Sequence, residues 1–119
     1  MFETVLLPMD ANPQALDTAV KALELVQSHD SCLVLLRLLD LVPDPPLLVP
    51  IQMRIDQSGV PCQRLERAGE PVTVILDVAA ELNVDVIVMG TGGVSLKSDD
   101  GSTAARVIEL APCPVLVVP

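Results

Sequence analysis

Aromatic side chains are almost absent from this chain. Among 119 residues Phe2 is the only aromatic one, and neither Trp nor Tyr occurs. A site that stacks a base or a sugar on a ring is therefore excluded, and the core must be built from Leu, Val, Ile and Ala. Basic residues are also scarce. Seven Lys and Arg stand against sixteen Asp and Glu, giving a formal charge of -9 and a pI of about 4.2. Such a surface repels nucleic acid and anionic membranes. The local exception, Arg54, Arg64 and Arg67 against Asp56 and Glu66, is too small for a nucleic-acid footprint. Apolar runs are short. Leu33 to Leu36 is broken by Arg37 and Asp40, whereas a membrane span needs about 20 apolar residues. The start, Met1-Phe2-Glu3-Thr4, carries no basic targeting region, so a cytoplasmic location is expected. Cys32, Cys62 and Cys113 are odd in number and widely spaced, with no CxxC and only His29 as a companion. A disulfide framework or zinc site is not indicated, and buried structural thiols are expected.

What is present is aliphatic. Half of the residues are hydrophobic and 19% are charged, which suits one globular domain over residues 1–119. Residues 4–8 read as a short buried strand, and Asn12-Pro13 as a helix cap with proline in the first turn. Leu16, Ala19, Val20, Leu23 and Val26 recur at helical spacing, and Ser28 to Asp30 closes that helix. Cys32 to Leu39 is a central strand. Pro43, Pro45, Pro46 and Pro50 make residues 43–50 a connector with little regular structure. Residues 51–57 fit a strand by the alternation of Ile51, Met53 and Ile55, or a short helix by Leu47, Leu48, Ile51 and Ile55. The crossover that a parallel neighbour needs favours the short helix, which Ser58-Gly59 ends. Residues 61–67 form a polar edge strand. Pro71 opens a helix whose buried face carries Val72, Ile75, Leu76, Ala79 and Leu82, with Asn83 as its stop. Val84 to Met89 is a strand, Gly101-Ser102-Thr103 opens a helix, and Cys113 to Val118 is the last strand. The order predicts an α/β fold with a five-stranded parallel sheet and helices on both faces. Its ligand site is expected outside the carboxyl ends of the strands, where the strand order reverses.

The segment richest in chemistry is 90–103. A strand runs into Gly90-Thr91-Gly92-Gly93, and Gly101 with Ser102 and Thr103 starts a helix. Glycines let backbone N–H groups point inward, and a helix N-terminus adds unpaired donors and a favourable dipole. The pattern suits a phosphate cradle or a plain strand–turn–helix connection. It is neither a Gly-Lys-Ser/Thr loop nor GxGxxG. Asp10, just ahead of a helix, can cap that helix or reach a ligand. Arg37 pairs with an acidic neighbour or edges the site. His29 is a charge partner at a helix end. No nucleophile stands with an evident base, although Asp10, Asp40 and Glu70 all lie near strand ends. Helix-start roles account for these carboxylates more simply than catalysis.

Three segments, 5–10 (Val-Leu-Leu-Pro-Met-Asp), 84–91 (Val-Asp-Val-Ile-Val-Met-Gly-Thr) and 111–118 (Ala-Pro-Cys-Pro-Val-Leu-Val-Val), occur in an order that resembles the universal stress protein family over essentially the whole chain. The resemblance implies an adenine nucleotide alpha hydrolase-like sheet of strand order 3-2-1-4-5. It also implies a stress-response regulator that binds ATP, ADP or AMP, with or without Mg2+, and signals to a protein partner. A homodimer through the last strand, about Pro114 to Val118, is part of the same implication. The nucleotide-binding branch of the family has glycine, two residues, glycine, nine residues, then glycine with Ser or Thr. Gly90, Gly93, Gly101 and Ser102 meet that frame, but only residues 94–100 separate Gly93 from Gly101, so the loop is two residues short. By the same resemblance Pro8, Met9, Asp10, Leu38, Met89 and Thr103 join the site, with Asp10 toward the ribose and the Leu38 backbone toward adenine. A curtailed second helix within 43–60 is implied as well.

Departures from the frame keep two further readings open. One is a dimeric interaction module that binds no nucleotide; the other, less favoured, is a small nucleotide hydrolase. Gly92 stands where nucleotide binders carry a basic or long polar residue, and the loop holds Asp99 and Asp100 with only Lys97 to offset them. Like charges near a triphosphate raise the cost of binding. Replacing both, Asp99→Asn with Asp100→Asn, is expected to strengthen ATP binding in calorimetry. Unchanged affinity would mean that the loop points away from the phosphates.

Overall fold

The computed structural model describes residues 3–9, 15–39, 45–90 and 103–119, with the backbone alone for 45–47. The expectations that rest on Asp10, Asn12, Pro13, Asp40, Gly93, Gly101 and Ser102 lie outside the described residues. Five strands form one parallel sheet: β1 (Thr4–Met9), β2 (Cys32–Leu38), β3 (Cys62–Arg67), β4 (Val86–Gly90) and β5 (Val115–Val118). Between them run α1 (Ala15–His29), α2 (Pro45–Ser58), α3 (Pro71–Glu81) and α4 (Thr103–Leu110). The strand order is β3-β2-β1-β4-β5, as the resemblance implies.

The near-continuous apolar runs of β1, β2 and β4 reflect a sheet covered on both faces. Side chains alternate across a strand. Val5, Leu7, Met9, Leu33, Leu35, Val86 and Val88 pack with α1 and α2 on one side. Leu6, Val34, Leu36, Leu38, Ile87 and Met89 pack with α3 and α4 on the other. The buried face of α1 is made by Ala15, Thr18, Ala19, Ala22, Leu23 and Val26. Its small side chains bring the helix close to the sheet, and Leu16 and Val20, expected in that face, are only half-buried.

Helix ends use residues that tolerate the left-handed conformation. Asp30 (φ 55°) and Asn83 (φ 50°) follow α1 and α3, and Gly59 (φ 74°) follows α2. Ser31 N–H then donates to the Val26 carbonyl and Val84 N–H to the Ala79 carbonyl, each at 3.0 Å, which satisfies carbonyls the helices leave open. This explains why β4 starts at Val86 rather than Val84. The Val84 amide closes α3, and the Asp85 carboxylate accepts the amides of Glu3 and Thr4, both at 2.9 Å. Likewise β5 starts at Val115 because Pro112 and Pro114 have no N–H for a ladder.

Two expectations fail. Residues 45–50 are not a connector: α2 is helical from Pro45 and runs fourteen residues, with Pro50 inside it. Prolines at a helix start remove only amides that have no intrahelical acceptor. Pro50 does remove one helical bond. Ile51 (0% exposed) and Ile55 (1%) nevertheless hold the helix against the α1 layer. The cysteines are not buried. Cys32 is exposed, Cys62 and Cys113 are half-buried, and all three are free. Cys32 and Cys62 are the first residues of β2 and β3, and Cys113 lies in the turn before β5, so all three lie outside the sheet interior. Partial desolvation is the main cause that raises the half-buried Cys62 and Cys113 thiols above their ordinary pKa, opposed by Arg64 at Cys62 and reinforced by Asp85 at Cys113.

Among the described residues, no helix is long and apolar enough to cross a membrane. Ile51→Ala is expected to cost about 2–5 kcal/mol, read as a lower urea midpoint at unchanged m-value. Pro50→Ala is expected to raise the midpoint, because alanine restores a helical amide. In a connector the same change would lower it through added unfolded-chain entropy.

Candidate functional site

Because β1 lies between β2 and β4, the chain winds outward to β3 and then crosses back, so the order reverses at the β1/β4 boundary. The two ladders of β1 differ in length. Toward β2 the pairing runs from Thr4↔Cys32 to Met9↔Arg37. Toward β4 it stops after Leu6↔Ile87. Successive residues of a strand aim their backbone groups at opposite neighbours. The Glu3 carbonyl accepts from Cys32 N–H on the β2 side, and the Thr4 carbonyl from Asp85 N–H on the β4 side. Pro8 has the parity of Thr4, so its missing amide falls on the β4 side, where the ladder ends. Beyond that point no β1–β4 pairing is formed.

A cleft lies past the end of this ladder. Pro8, Met9, Leu38, Met89, Gly90 and Thr103, drawn from β1, β2, β4 and α4, all line it. These six are the described members of the residues singled out from the sequence. Four residues were not anticipated there: Leu7, Ala15, Thr18 and Ile75. Ile75 and Leu7 read only as core. Thr18 carried a signal that was missed, being a polar residue three positions from Ala15 on an otherwise apolar face, and it is buried at 5% exposure.

The walls are aliphatic and backbone, with Met9, Leu38 and Met89 almost wholly buried. Thr103 opens α4, and the dipole at a helix N-terminus favours an anion. The cleft encloses about 20 Å³, which holds roughly one water molecule, so a larger ligand would have to part its walls. His29 is far from it. It ends α1, roughly 21 Å along the axis from Ala15 at 1.5 Å per residue, and its Nδ1 lies 3.1 Å from the Leu25 carbonyl. Among the described residues, no group of three or more His, Cys, Asp or Glu side chains is placed to hold a metal ion.

Four arginines are engaged by carboxylates. Arg37 donates to Glu66 at 2.9 Å across the β2–β3 ladder, which realises the structural pairing, while its buried Nε finds no partner among the described residues. Arg64 donates to Asp56 at 2.6 Å, Arg67 lies 3.8 Å from Glu81, and Arg106 lies 3.5 Å from Glu70.

Comparison with known proteins supplies the family. The model of the universal stress protein family matches residues 51–119. A universal stress protein of Synechocystis sp. is 40% identical over an alignment that covers 100% of this chain and 87% of that protein. The chain belongs to the universal stress protein family. Solved structures agree on the fold. A universal stress protein in complex with cAMP superposes with a TM-score of 0.81 at 20% identity, covering 98% of this chain and 97% of that one. A family protein from Arabidopsis thaliana with AMP bound gives 0.71 at 20% identity, covering 98% and 90%.

In this universal stress protein Glu70 has a helix-start role. It precedes Pro71, and its Oε2 accepts both the Thr73 amide at 2.9 Å and the Thr73 hydroxyl at 2.8 Å. The bond from the Thr73 amide, then that from its hydroxyl, hold the Glu70 carboxyl below its ordinary pKa, with smaller help from the Val72 amide and Arg106 and against partial desolvation. A lowered folded pKa contributes stability above the ordinary carboxylate range that is lost as pH falls through the lowered value. Thermal melts of wild type and Glu70→Ala are therefore expected to differ most at neutral pH and to converge in acid. A gap that is constant with pH would contradict the assignment.

Proposed function

We propose that this chain is a regulatory protein that binds an adenine nucleotide in the β1/β4 cleft and signals through its bound state. The observation that carries the reading is the convergence of Pro8, Met9, Leu38, Met89, Gly90 and Thr103 on one cleft at the point where strand order reverses. Ligands of open parallel sheets bind at such points. The relatives with cAMP and with AMP supply the ligand class. In this reading the adenine sits against Leu38, Met9 and Met89, the Asp10 carboxylate reaches the ribose, and Gly90, Gly93, Gly101, Ser102 and Thr103 take the phosphates. ATP with Mg2+ is the fullest form of the ligand. AMP and adenosine bring less negative charge to the acidic loop.

The same reading includes a homodimer through β5. The sheet has two unlike edges. Edge strand β3 carries Arg64, Glu66 and Arg67, which guard it against pairing. Edge strand β5 is Val-Leu-Val-Val with Leu116 exposed, and Ile108 and Leu110 of α4 are exposed as well. This bare edge also favours the second reading, an interaction module that works without nucleotide.

Calorimetry with adenosine, AMP, ADP and ATP, with and without magnesium, separates the two. Binding tighter than about 1 mM, roughly -4 kcal/mol, is expected for at least one ligand. Gly90→Val, which fills the cleft wall, is expected to abolish it, and Cys113→Ala to leave it unchanged. Absence of all binding would leave the interaction module. Native mass measurement is expected to show a dimer that Leu116→Lys converts to monomer.

A further inference from the structure

The arginines nearest the carboxyl ends of the strands differ in how firmly they are held. Arg37 makes a 2.9 Å hydrogen bond to Glu66 on the adjacent strand. Arg67 donates to the Glu66 carbonyl at 3.2 Å and lies near Glu81. Among the described residues Arg106 meets Glu70 Oε1 at 3.5 Å, with both side chains about half exposed. That separation is outside the usual 2.7–3.2 Å range of an N–H···O bond, and half-exposed pairs of this kind contribute little stability. The carboxylate is already committed elsewhere. Its other oxygen, Oε2, takes both donors of Thr73. Glu70 therefore keeps its place at the start of α3 whether or not Arg106 stays with it.

Arg106 is also the arginine whose own helix begins in the cleft. Thr103 lines the cleft and is the first residue of α4. Residues three apart share a helix face, and helical side chains lean toward the N-terminus. Arg106 thus leans over the turn that Thr103 begins, and Ile75 of α3 forms part of the same cleft. A guanidinium in a long, wet contact with a carboxylate gains on exchange to a phosphate, which accepts two parallel charge-assisted bonds.

We propose that Arg106 is the phosphate-selecting cation of this cleft, parked on Glu70 when no anion is present and transferred to the ligand's phosphate on binding. The proposal rests on the adenine-nucleotide reading and deepens it, because Arg106 distinguishes nucleotides from nucleosides rather than holding the base.

The test is the ratio of AMP to adenosine affinity, measured by calorimetry at fixed salt on the full chain. Wild type is expected to prefer AMP. Arg106→Gln is expected to lower the ratio about tenfold or more, the worth of a hydrogen bond to a charged group, and Arg106→Lys to restore part of it. Glu70→Gln, whose amide oxygen can still accept from Thr73, frees the arginine and removes a nearby negative charge. It is expected to raise the ratio several-fold. Arg54→Gln removes the same charge from α2, in the opposite helical layer, and leaves the ratio unchanged. An unchanged ratio in Arg106→Gln overturns the proposal. So does a ratio that falls in Glu70→Gln as it does in Arg106→Gln, since the pair would then be a scaffold. A wild type that binds adenosine and AMP equally overturns this proposal alone. A wild type that binds neither overturns the nucleotide reading and this proposal with it.

Discussion

β1 has a strand on each side and a helical layer on each face, so none of its interior positions is free of packing. Val5, Leu6 and Leu7 are buried to 1% exposure or less, and they alternate between the two layers. A parallel sheet exists only when both of its faces are covered, and that requirement sets the rest of the molecule. It calls for two helices on each side, for small residues on α1 to let it approach, and for a crossing back over β1 after β3. The reversal of strand order beside β1 is a by-product of covering both faces, and the cleft lies at that reversal.

The charges are arranged around the same frame. Acidic residues exceed basic ones, yet the surplus is not spread evenly. On the β3 side the arginines and carboxylates interlock across strands and helices: Arg37 with Glu66, Arg64 with Asp56, Arg67 with Glu81. Each such pair is worth little by itself at the surface. Together they keep an edge strand polar and occupied. The β5 side has no comparable lattice among the described residues, and the two sides of one sheet thereby acquire different capacities for association.

Much of the fold was legible because the apolar runs of β1, β2 and β4 are long and the stops are explicit. Asp30, Gly59 and Asn83 end their helices as the sequence suggests, and the polar content of β3 marks an edge. The strand order came from the resemblance, since periodicity does not contain it. The first half of α2, residues 45–50, was misread because four prolines in eight residues signal a break, and the buried contacts of Ile51 and Ile55 outweigh that local signal only in the folded molecule. The cysteines were misread for a related reason. Their composition-level tendency to be buried gives way to their positions at strand starts and in a turn. At the cleft, the residues at strand ends were recognisable, whereas Thr18 and Ile75 enter it only through the packing of α1 and α3. The Glu70–Arg106 contact joins residues 36 apart in sequence, and no local pattern announces it.

Pro8 has a consequence for the energetics of occupancy. A gap between two paired strands is commonly closed by backbone hydrogen bonds that must be broken before anything can enter. At the β1/β4 boundary one of the donors that would extend the ladder, the amide of residue 8, does not exist in the covalent chain. The absence is fixed by a ring closed on its own backbone nitrogen, so at that one position a ligand has no interstrand hydrogen bond to break.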